Sequence, residues 1–461
     1  MIVPSGALAS LTAIVGAANT RTDAEALLAY GTDALKRGRA ADLVLLPADT
    51  AQVAAIARVC AEHRIPMVPR GAGTGYTGGA VPTQGGVVIS LERLNRILDI
   101  DEANLVAVVE PCVITGDLQD AVERVGLFYP PDPASLRIST VGGNVAECAG
   151  GPQAFKYGTT KRYVLGLEAV LPTGEIVRTG GKSVKNVVGY DLTALLVGSE
   201  GTLAITTKII LRLIPKPPAH ATMRATFGSV SAAADAVSNI IRHRVVPAAL
   251  ELIDGDSLEA VATNLNDRSL APAGTAALLL IEVDGMDEAI SQEATLVEQA
   301  CAEAGATEIL RATDETERAN LWRVRRELSL SLRMIASLKF NHDVVVPKGR
   351  VPELFALVAR IKREHRLRIP CFGHAGDGNI HVNIMVDAGD AEEIARAHRA
   401  EGELFAGVVA LEGSISGEHG IGFSKAPFLP LELSEEEIAL MKRVKRAFDP
   451  DGILNPGKIF P

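Results

Sequence analysis

Apolar positions along the chain switch between two periods. Near the N-terminus Leu8, Leu11 and Val15 fall three and four residues apart, so residues 1–40 read as helical turns. After Asp42 the apolar run Leu43-Val44-Leu45-Leu46, closed by Pro47, predicts a short strand. Asp49 or Thr50 can cap the helix that follows, where Val53, Ile56, Ala57 and Cys60 return to helical spacing. Strands are expected at 65–68, 87–91 and 105–109, and a helix at 116–125 ended by Gly126. A hairpin at 164–171 and 176–179 turns on Pro172-Thr173-Gly174-Glu175, and a strand covers 203–214. Pro215-Lys216-Pro217-Pro218 breaks the pattern and reads as a domain boundary. Beyond it, strands at 222–227, 248–253 and 276–283 alternate with longer helices at 229–243, 286–304 and 314–335. A last helix covers 434–448. The fold class is α+β, and in the second half a sheet with helices on one face is expected.

Composition narrows the class. A chain of 461 residues exceeds what one hydrophobic core usually supports, so two or more domains are expected. Its 47% hydrophobic and 22% charged residues are those of a soluble globular protein. The net charge of −10 excludes a general nucleic-acid binder. Cys60, Cys112, Cys148, Cys301 and Cys371 are far apart and form no Cys-x-x-Cys, which leaves no thiolate cluster for iron–sulfur or structural zinc. A reduced, cytoplasmic setting fits, with any membrane association coming through partner subunits. The first basic residue is Arg21, so no charged region precedes the apolar N-terminus as a signal peptide requires. No apolar run is long enough to span a bilayer.

The candidate chemistry begins at Pro69-Arg70-Gly71-Ala72-Gly73-Thr74-Gly75-Tyr76-Thr77-Gly78-Gly79. Glycine leaves a row of bare N–H groups that can approach an anion closely, as in a pyrophosphate cradle. Gly73-x-Gly75-x-x-Gly78 matches the dinucleotide fingerprint, but that fingerprint must open a helix. Here the loop runs through Ala80-Val81-Pro82 into a strand, so it reads as a strand–loop–strand cradle for a nucleotide-bearing cofactor. A glycine- and proline-dense stretch follows: Pro130-Pro131-Asp132-Pro133-Ala134-Ser135, Thr140-Val141-Gly142-Gly143-Asn144, Ala149-Gly150-Gly151 and Lys156-Tyr157-Gly158. Loops this long inside a compact domain are usually functional. Gly198-Ser199-Glu200-Gly201-Thr202 is a further donor-rich turn.

A second constellation lies late in the chain. Gly373-His374-Ala375-Gly376-Asp377-Gly378-Asn379-Ile380-His381 sets two imidazoles either side of a tight turn. Gly417-Glu418-His419-Gly420-Ile421-Gly422 adds a carboxylate and a third imidazole. Two histidines and one carboxylate with open positions form the ligand set of a catalytic divalent metal, zinc most simply, with iron or manganese as alternatives. Arg323, Arg325 and Arg326 share a predicted helix and Lys339 starts the next strand. Such a run is by default a solvated basic face. Arg325 and Lys339 matter if an anionic substrate sits beside the metal.

These motifs, in this order, resemble the flavin-linked 2-hydroxy-acid dehydrogenases of the vanillyl-alcohol oxidase/p-cresol methylhydroxylase fold. Within that family the chain is similar to the flavin subunit of glycolate oxidase and to D-lactate and D-2-hydroxyglutarate dehydrogenases. Asn455-Pro456-Gly457-Lys458 completes the match, which covers nearly the whole chain. The resemblance implies a two-lobed FAD-binding domain of the p-cresol methylhydroxylase type over residues 1–217. A substrate, or cap, domain with the metal site would cover 218–425, its sheet covered by helices, and 426–461 would return to the FAD domain. It implies FAD with Arg70, Gly71, Ala72, Gly73, Thr74, Gly75, Gly78 and Gly79 on the pyrophosphate. Pro131, Asp132, Ser135, Thr140, Gly142, Gly143, Asn144, Gly150, Tyr157, Gly158, Glu200, Gly201, Thr202 and Asn455 would line the rest of the flavin.

By the same resemblance His374, His381 and Glu418 are metal ligands and His419 is the general base. Arg325 and Lys339 would hold the substrate carboxylate, and Asn383 would contact the variable side of the substrate. The implied reaction is oxidation of a D-2-hydroxy acid to the 2-oxo acid. Electrons would pass to a separate iron–sulfur or electron-transfer flavoprotein partner, or to a quinone. Three positions depart from the family pattern: Cys148 where asparagine is frequent, and Cys112 and Ala204 where glycine is frequent. The phosphate loop has no histidine or cysteine, so non-covalent FAD is expected, and Cys148 is the residue that could overturn this. Two rival readings are a non-catalytic flavin subunit that relays electrons and a flavin-dependent transferase resembling alkyl-dihydroxyacetonephosphate synthase.

Overall fold

In the computed structural model, which describes residues 3–461, the alternating apolar periods resolve into two units. One comprises the chain up to Gly150, Thr159–Lys216 and Glu418–Pro461; the other comprises Gly151–Gly158 and Pro217–Gly417. The first two residues of the stretch expected to be helical lie outside the described residues.

The first unit holds two sheets. The four-stranded one runs Thr20–Arg21, Leu43–Leu45, Val87–Ser90, Met67–Arg70 in spatial order, and both neighbours of Val87–Ser90 lie parallel to it. Leu43, Val44 and Leu45 are all buried, as a parallel strand covered on both faces requires. The crossover helix Thr50–His63 is capped by Asp49, whose carboxylate accepts the Gln52 amide at 2.8 Å. Its Val53, Ile56, Ala57 and Cys60 meet Ala7, Leu11 and Val15 of the helix Ser5–Val15 in one core. Full burial of each such aliphatic side chain contributes about 1.5–3 kcal/mol. The five-stranded sheet is antiparallel, ordered Ile97–Asp101, Val106–Val109, Ile205–Arg212, Val164–Val170, Ile176–Gly180. The C-terminal segment returns to the first sheet, where Leu454 pairs with Met67 and the Asn455 amide donates to the Met67 carbonyl at 2.6 Å.

Two expectations for this unit are corrected. Within residues 1–40 the helices are Ser5–Val15 and Ala24–Ala29, while Thr20–Arg21 is a strand paired with Leu45 and Val44. Residues 141–144 are not loop: Val141–Glu147 is a helix, capped by the Thr140 hydroxyl, which accepts the Gly143 amide. Gly142 is needed for close approach, since a Cβ there would lie 2.5 Å from Pro111 Cβ. Packing against Pro111 overrides the low helix propensity of two glycines.

The second unit is built on a seven-stranded antiparallel sheet. Its order is Glu308–Arg311, Ala219–Phe227, Ala277–Gly285, Ala249–Asp254, Cys371–His374, Asn379–Val386, Leu338–Val345. The expectation of helices on one face is also corrected. Val230–Arg242 and Asp287–Glu303 pack with Met223, Leu250, Leu252, Leu279 and Ile281. Gly255–Leu265 and Glu315–Leu332 pack with Ile253, Leu278, Leu280 and Phe372. Successive strand residues point to opposite faces, so the unbroken run Leu278-Leu279-Leu280-Ile281 demands cover on both.

Candidate functional site

In the first unit the strand Met67–Arg70 delivers the glycine loop. Among the described residues, the amides of Gly71, Ala72, Gly73, Thr74 and Gly75 donate to no protein acceptor. That row of donors suits a pyrophosphate. Arg70 turns back on its own loop: its Nη1 donates to the Thr32 carbonyl at 2.7 Å, and a Cβ at Gly73 would lie 2.2 Å from its Nη2. Gly71 faces Thr140, whose Oγ1 would be 2.5 Å from a Cβ. Beside the loop lies a cavity of about 810 Å³ lined by Arg70, Gly71, Ala72, Cys112, Val113 and Thr140. Its size is that of a cofactor site. Donor row and cavity together fit a dinucleotide.

Several of the residues expected to line the flavin also bond within the protein. Asn455 Nδ2 donates to the carbonyls of Gly79 (2.9 Å) and Glu200 (2.8 Å). The Glu200 carboxylate accepts the amides of Ile421 and Gly422, each at 2.7 Å. Asn144 Nδ2 donates to Thr115 Oγ1 at 2.8 Å, and Thr202 Oγ1 to the Ser199 carbonyl at 2.8 Å. The Pro131 carbonyl accepts Gln119 Nε2 at 2.9 Å, and the Ser135 carbonyl accepts the Ile138 and Ser139 amides. A Cβ at Gly201 would meet Pro69, and one at Gly78 would meet Phe423. Gly150 is the buried last residue of its segment. Tyr157 and Gly158 belong to the second unit, where the Tyr157 hydroxyl donates to Asp284 at 2.7 Å. Replacing Asn455 by alanine leaves two carbonyls unmet, each worth about 1–3 kcal/mol when buried. Asn455→Ala is therefore expected to lower the urea midpoint and the FAD content together.

His419 lies in the turn that Glu200 holds. Its carbonyl accepts Thr77 Oγ1 at 3.1 Å, and its ring centroid is 5.4 Å from that of Tyr76. Beneath the turn is Glu147, which sequence reasoning missed. Burial, the Glu200 carboxylate and Asp33 push the Glu147 carboxyl well above its usual range, which favours the protonated form.

In the second unit, His374 ends the strand Cys371–His374 and His381 lies in Asn379–Val386, joined by a turn in which Gly378 has φ +83. Their rings meet edge to face with centroids 5.4 Å apart. Strand register places Glu251 directly opposite His374. The fully buried Glu251 carboxylate engages both His374 Nδ1 and Arg325 Nε. Burial alone would raise its pKa, but the His374 imidazole and the Arg325 guanidinium hold it well below the carboxylate range. Arg325, expected on the substrate, thus anchors to Glu251 and lies 5.0 Å over the Phe372 ring. Lys339 Nζ donates to Ser329 Oγ at 3.2 Å, and burial, then Arg333, pull its pKa down to about 8. Asn383 Nδ2 donates to the carbonyls of Pro370 and His381, while its Oδ1 accepts Asn341 Nδ2 at 2.7 Å. Asp343, also missed, accepts Asn379 Nδ2 (2.6 Å) and the Gly417 amide (2.9 Å). Glu418 is the next residue in the chain and opens the last segment of the first unit. A signal for Glu251 was visible: a lone charge inside the apolar strand Ala249-Leu250-Glu251-Leu252-Ile253.

Residues 41–180 match an FAD binding domain, and residues 216–459 match the C-terminal domain of FAD linked oxidases. The chain belongs to the FAD-linked oxidase family. It is an oxidoreductase that uses FAD. It is 43% identical over 434 residues to "Glycolate oxidase subunit GlcD" of Bacillus subtilis (strain 168), covering 94% of this chain and 92% of that one. It is 38% identical over 431 residues to "D-lactate dehydrogenase" of Anaerostipes hadrus, covering 92% of this chain and 90% of that one. Among solved structures it is similar to p-cresol methylhydroxylase with substrate bound, at a TM-score of 0.82 and 20% identity, covering 99% of this chain and 97% of that one. That likeness confirms the α+β fold of the p-cresol methylhydroxylase type. Among the described residues no helix is long and apolar enough to cross a membrane.

Proposed function

We propose that this FAD-linked oxidase converts a D-2-hydroxy acid, of the glycolate, D-lactate or D-2-hydroxyglutarate type, to the 2-oxo acid. The observation that carries the reading is the buried His374–His381 pair in a chain 43% identical to a glycolate oxidase subunit. His374, His381 and Glu418 would hold a divalent ion, zinc or else manganese or iron, which would lower the pKa of the substrate hydroxyl as a Lewis acid. Two neutral imidazoles and a carboxylate are the donor set for that role. FAD, bound without a covalent link over residues 70–79, supplies the acceptor for the hydrogen on C2. His419 takes the hydroxyl proton as general base. Arg325 and Lys339 hold the substrate carboxylate, and Asn383 stands at its variable side.

Electrons then leave to a separate iron–sulfur or flavoprotein subunit. The name "subunit" of the Bacillus subtilis relative and the five free, dispersed cysteines support this. Anaerobic mixing with a panel of D- and L-2-hydroxy acids tests the reading, and it fails if none of them bleaches the flavin. The Lys339 pKa of about 8 sets a pH dependence. Lowered from its ordinary value, the amine is cationic below about pH 8 and neutral above it. KM for the 2-hydroxy acid is therefore expected to rise as pH passes 8, and Lys339→Arg, which stays charged, should flatten that rise.

A further inference from the structure

A single buried carboxylate reaches two of the proposed site residues at once, and neither the sequence nor the comparisons assign it a role. Glu251 stands at the centre of the sheet, fully buried, opposite His374 in register, with Arg325 Nε on its second oxygen. Its flanking residues Leu250 and Leu252 point to the other face, into the apolar core. A charge in this position is costly unless it is paired, and here both oxygens are paired.

We infer that Glu251 is a positioning residue for the metal ligand His374, fixing its tautomer and ring orientation while holding the Arg325 guanidinium by Nε. A carboxylate at Nδ1 requires the proton on Nδ1, which leaves the lone pair on Nε2 for a ligand bond. A carboxylate behind a ligating histidine also raises the basicity of the coordinating nitrogen. The same oxygen pair removes one degree of freedom from Arg325, so ligand and substrate-carboxylate arginine are set by one residue. The inference rests on the reading of His374 as a metal ligand.

Glutamine at this position offers one acceptor where glutamate offers two. Arg325 Nε is always a donor and takes the oxygen. The remaining NH2 then faces Nδ1 and selects the opposite tautomer, with the proton on Nε2. Glu251→Gln is therefore expected to weaken binding of Zn2+, and of Mn2+, by about 10–100-fold, measured by titrating the metal alone into chelator-treated protein. FAD content by absorbance and far-UV circular dichroism should stay as in the wild type. The variant leaves the Arg325 cation buried without its partner and can lose the fold on that account. Glu251→Leu combined with Arg325→Met removes that charge and leaves His374 Nδ1 with no acceptor behind it, and the same 10–100-fold weakening is expected. Glu251→Asp should recover part of the loss seen in Glu251→Gln. If the wild type binds metal and the double variant binds it equally well, the positioning role is overturned and the metal reading stands. If the wild type binds neither Zn2+ nor Mn2+, both fall.

Discussion

Replacing His419 by alanine is expected to slow flavin reduction by a 2-hydroxy acid about 10²–10⁴-fold, the usual contribution of a positioned general base. The loss should fall on chemistry and not on folding. The turn that carries His419 is held by its backbone: the His419 carbonyl accepts the Thr77 hydroxyl, and the amides of Ile421 and Gly422 donate to Glu200. Alanine keeps all three bonds. FAD absorbance should therefore match the wild type, while stopped-flow anaerobic reduction slows at saturating substrate. Wild-type reduction rates in a protein that still holds FAD and metal would remove His419 from the base role.

The second large effect is expected one residue on, where the imidazole itself is untouched. Gly420 has φ +77, a left-handed conformation that costs an L-residue about 1–2 kcal/mol. A Cβ there would fall 2.2 Å from Glu147 Oε2 and 3.0 Å from Glu200 Oε1. Glu200 cannot withdraw without abandoning both amide bonds. The turn must move instead, and His419 moves with it. Displacement of a catalytic group by about 1 Å costs on the order of 10²-fold in rate. Gly420→Ala is therefore expected to lose about 10²-fold in flavin reduction while keeping His419 and FAD. Shortening the obstacle gives the check: adding Glu147→Ala to Gly420→Ala should restore part of the rate. A Gly420→Ala protein with full activity would show that the two carboxylates do not fix the turn.

Both effects depend on contacts between residues far apart in the chain, which marks the boundary of what the sequence can reveal. Local period was enough for part of the elements, though it named neither the strand Ile97–Asp101 nor the helices Gly255–Leu265, Val351–His365 and Ala391–Ala410. The stripe of Val53, Ile56, Ala57 and Cys60 becomes the helix Thr50–His63, and the proline-flanked apolar runs become strands. Where local preference and packing disagreed, packing won. Gly142 and Gly143 read as loop, yet they sit in a helix that packs Gly142 against Pro111 with no room there for a side chain. Cover on both faces of the large sheet was latent in Leu278-Leu279-Leu280-Ile281, a run with no polar alternation.

The chemistry divides the same way. Residue type and spacing alone pointed to the glycine loop between two strands as a cradle for a phosphate-bearing cofactor, and set His374 and His381 either side of one turn. Those statements need only the bare N–H of glycine and the reach of a short loop. The partners of the site residues were decided by tertiary structure. Glu251 is 123 residues from His374, and only sheet register sets it opposite the imidazole. Glu200 lies 221 residues before the Ile421 amide it accepts, and Asn455 lies 376 residues after the Gly79 carbonyl it reaches. A hydrogen bond requires its atoms within about 3 Å, a distance that chain separation does not encode. The sequence therefore named the candidate groups, and the fold decided what holds each of them in place.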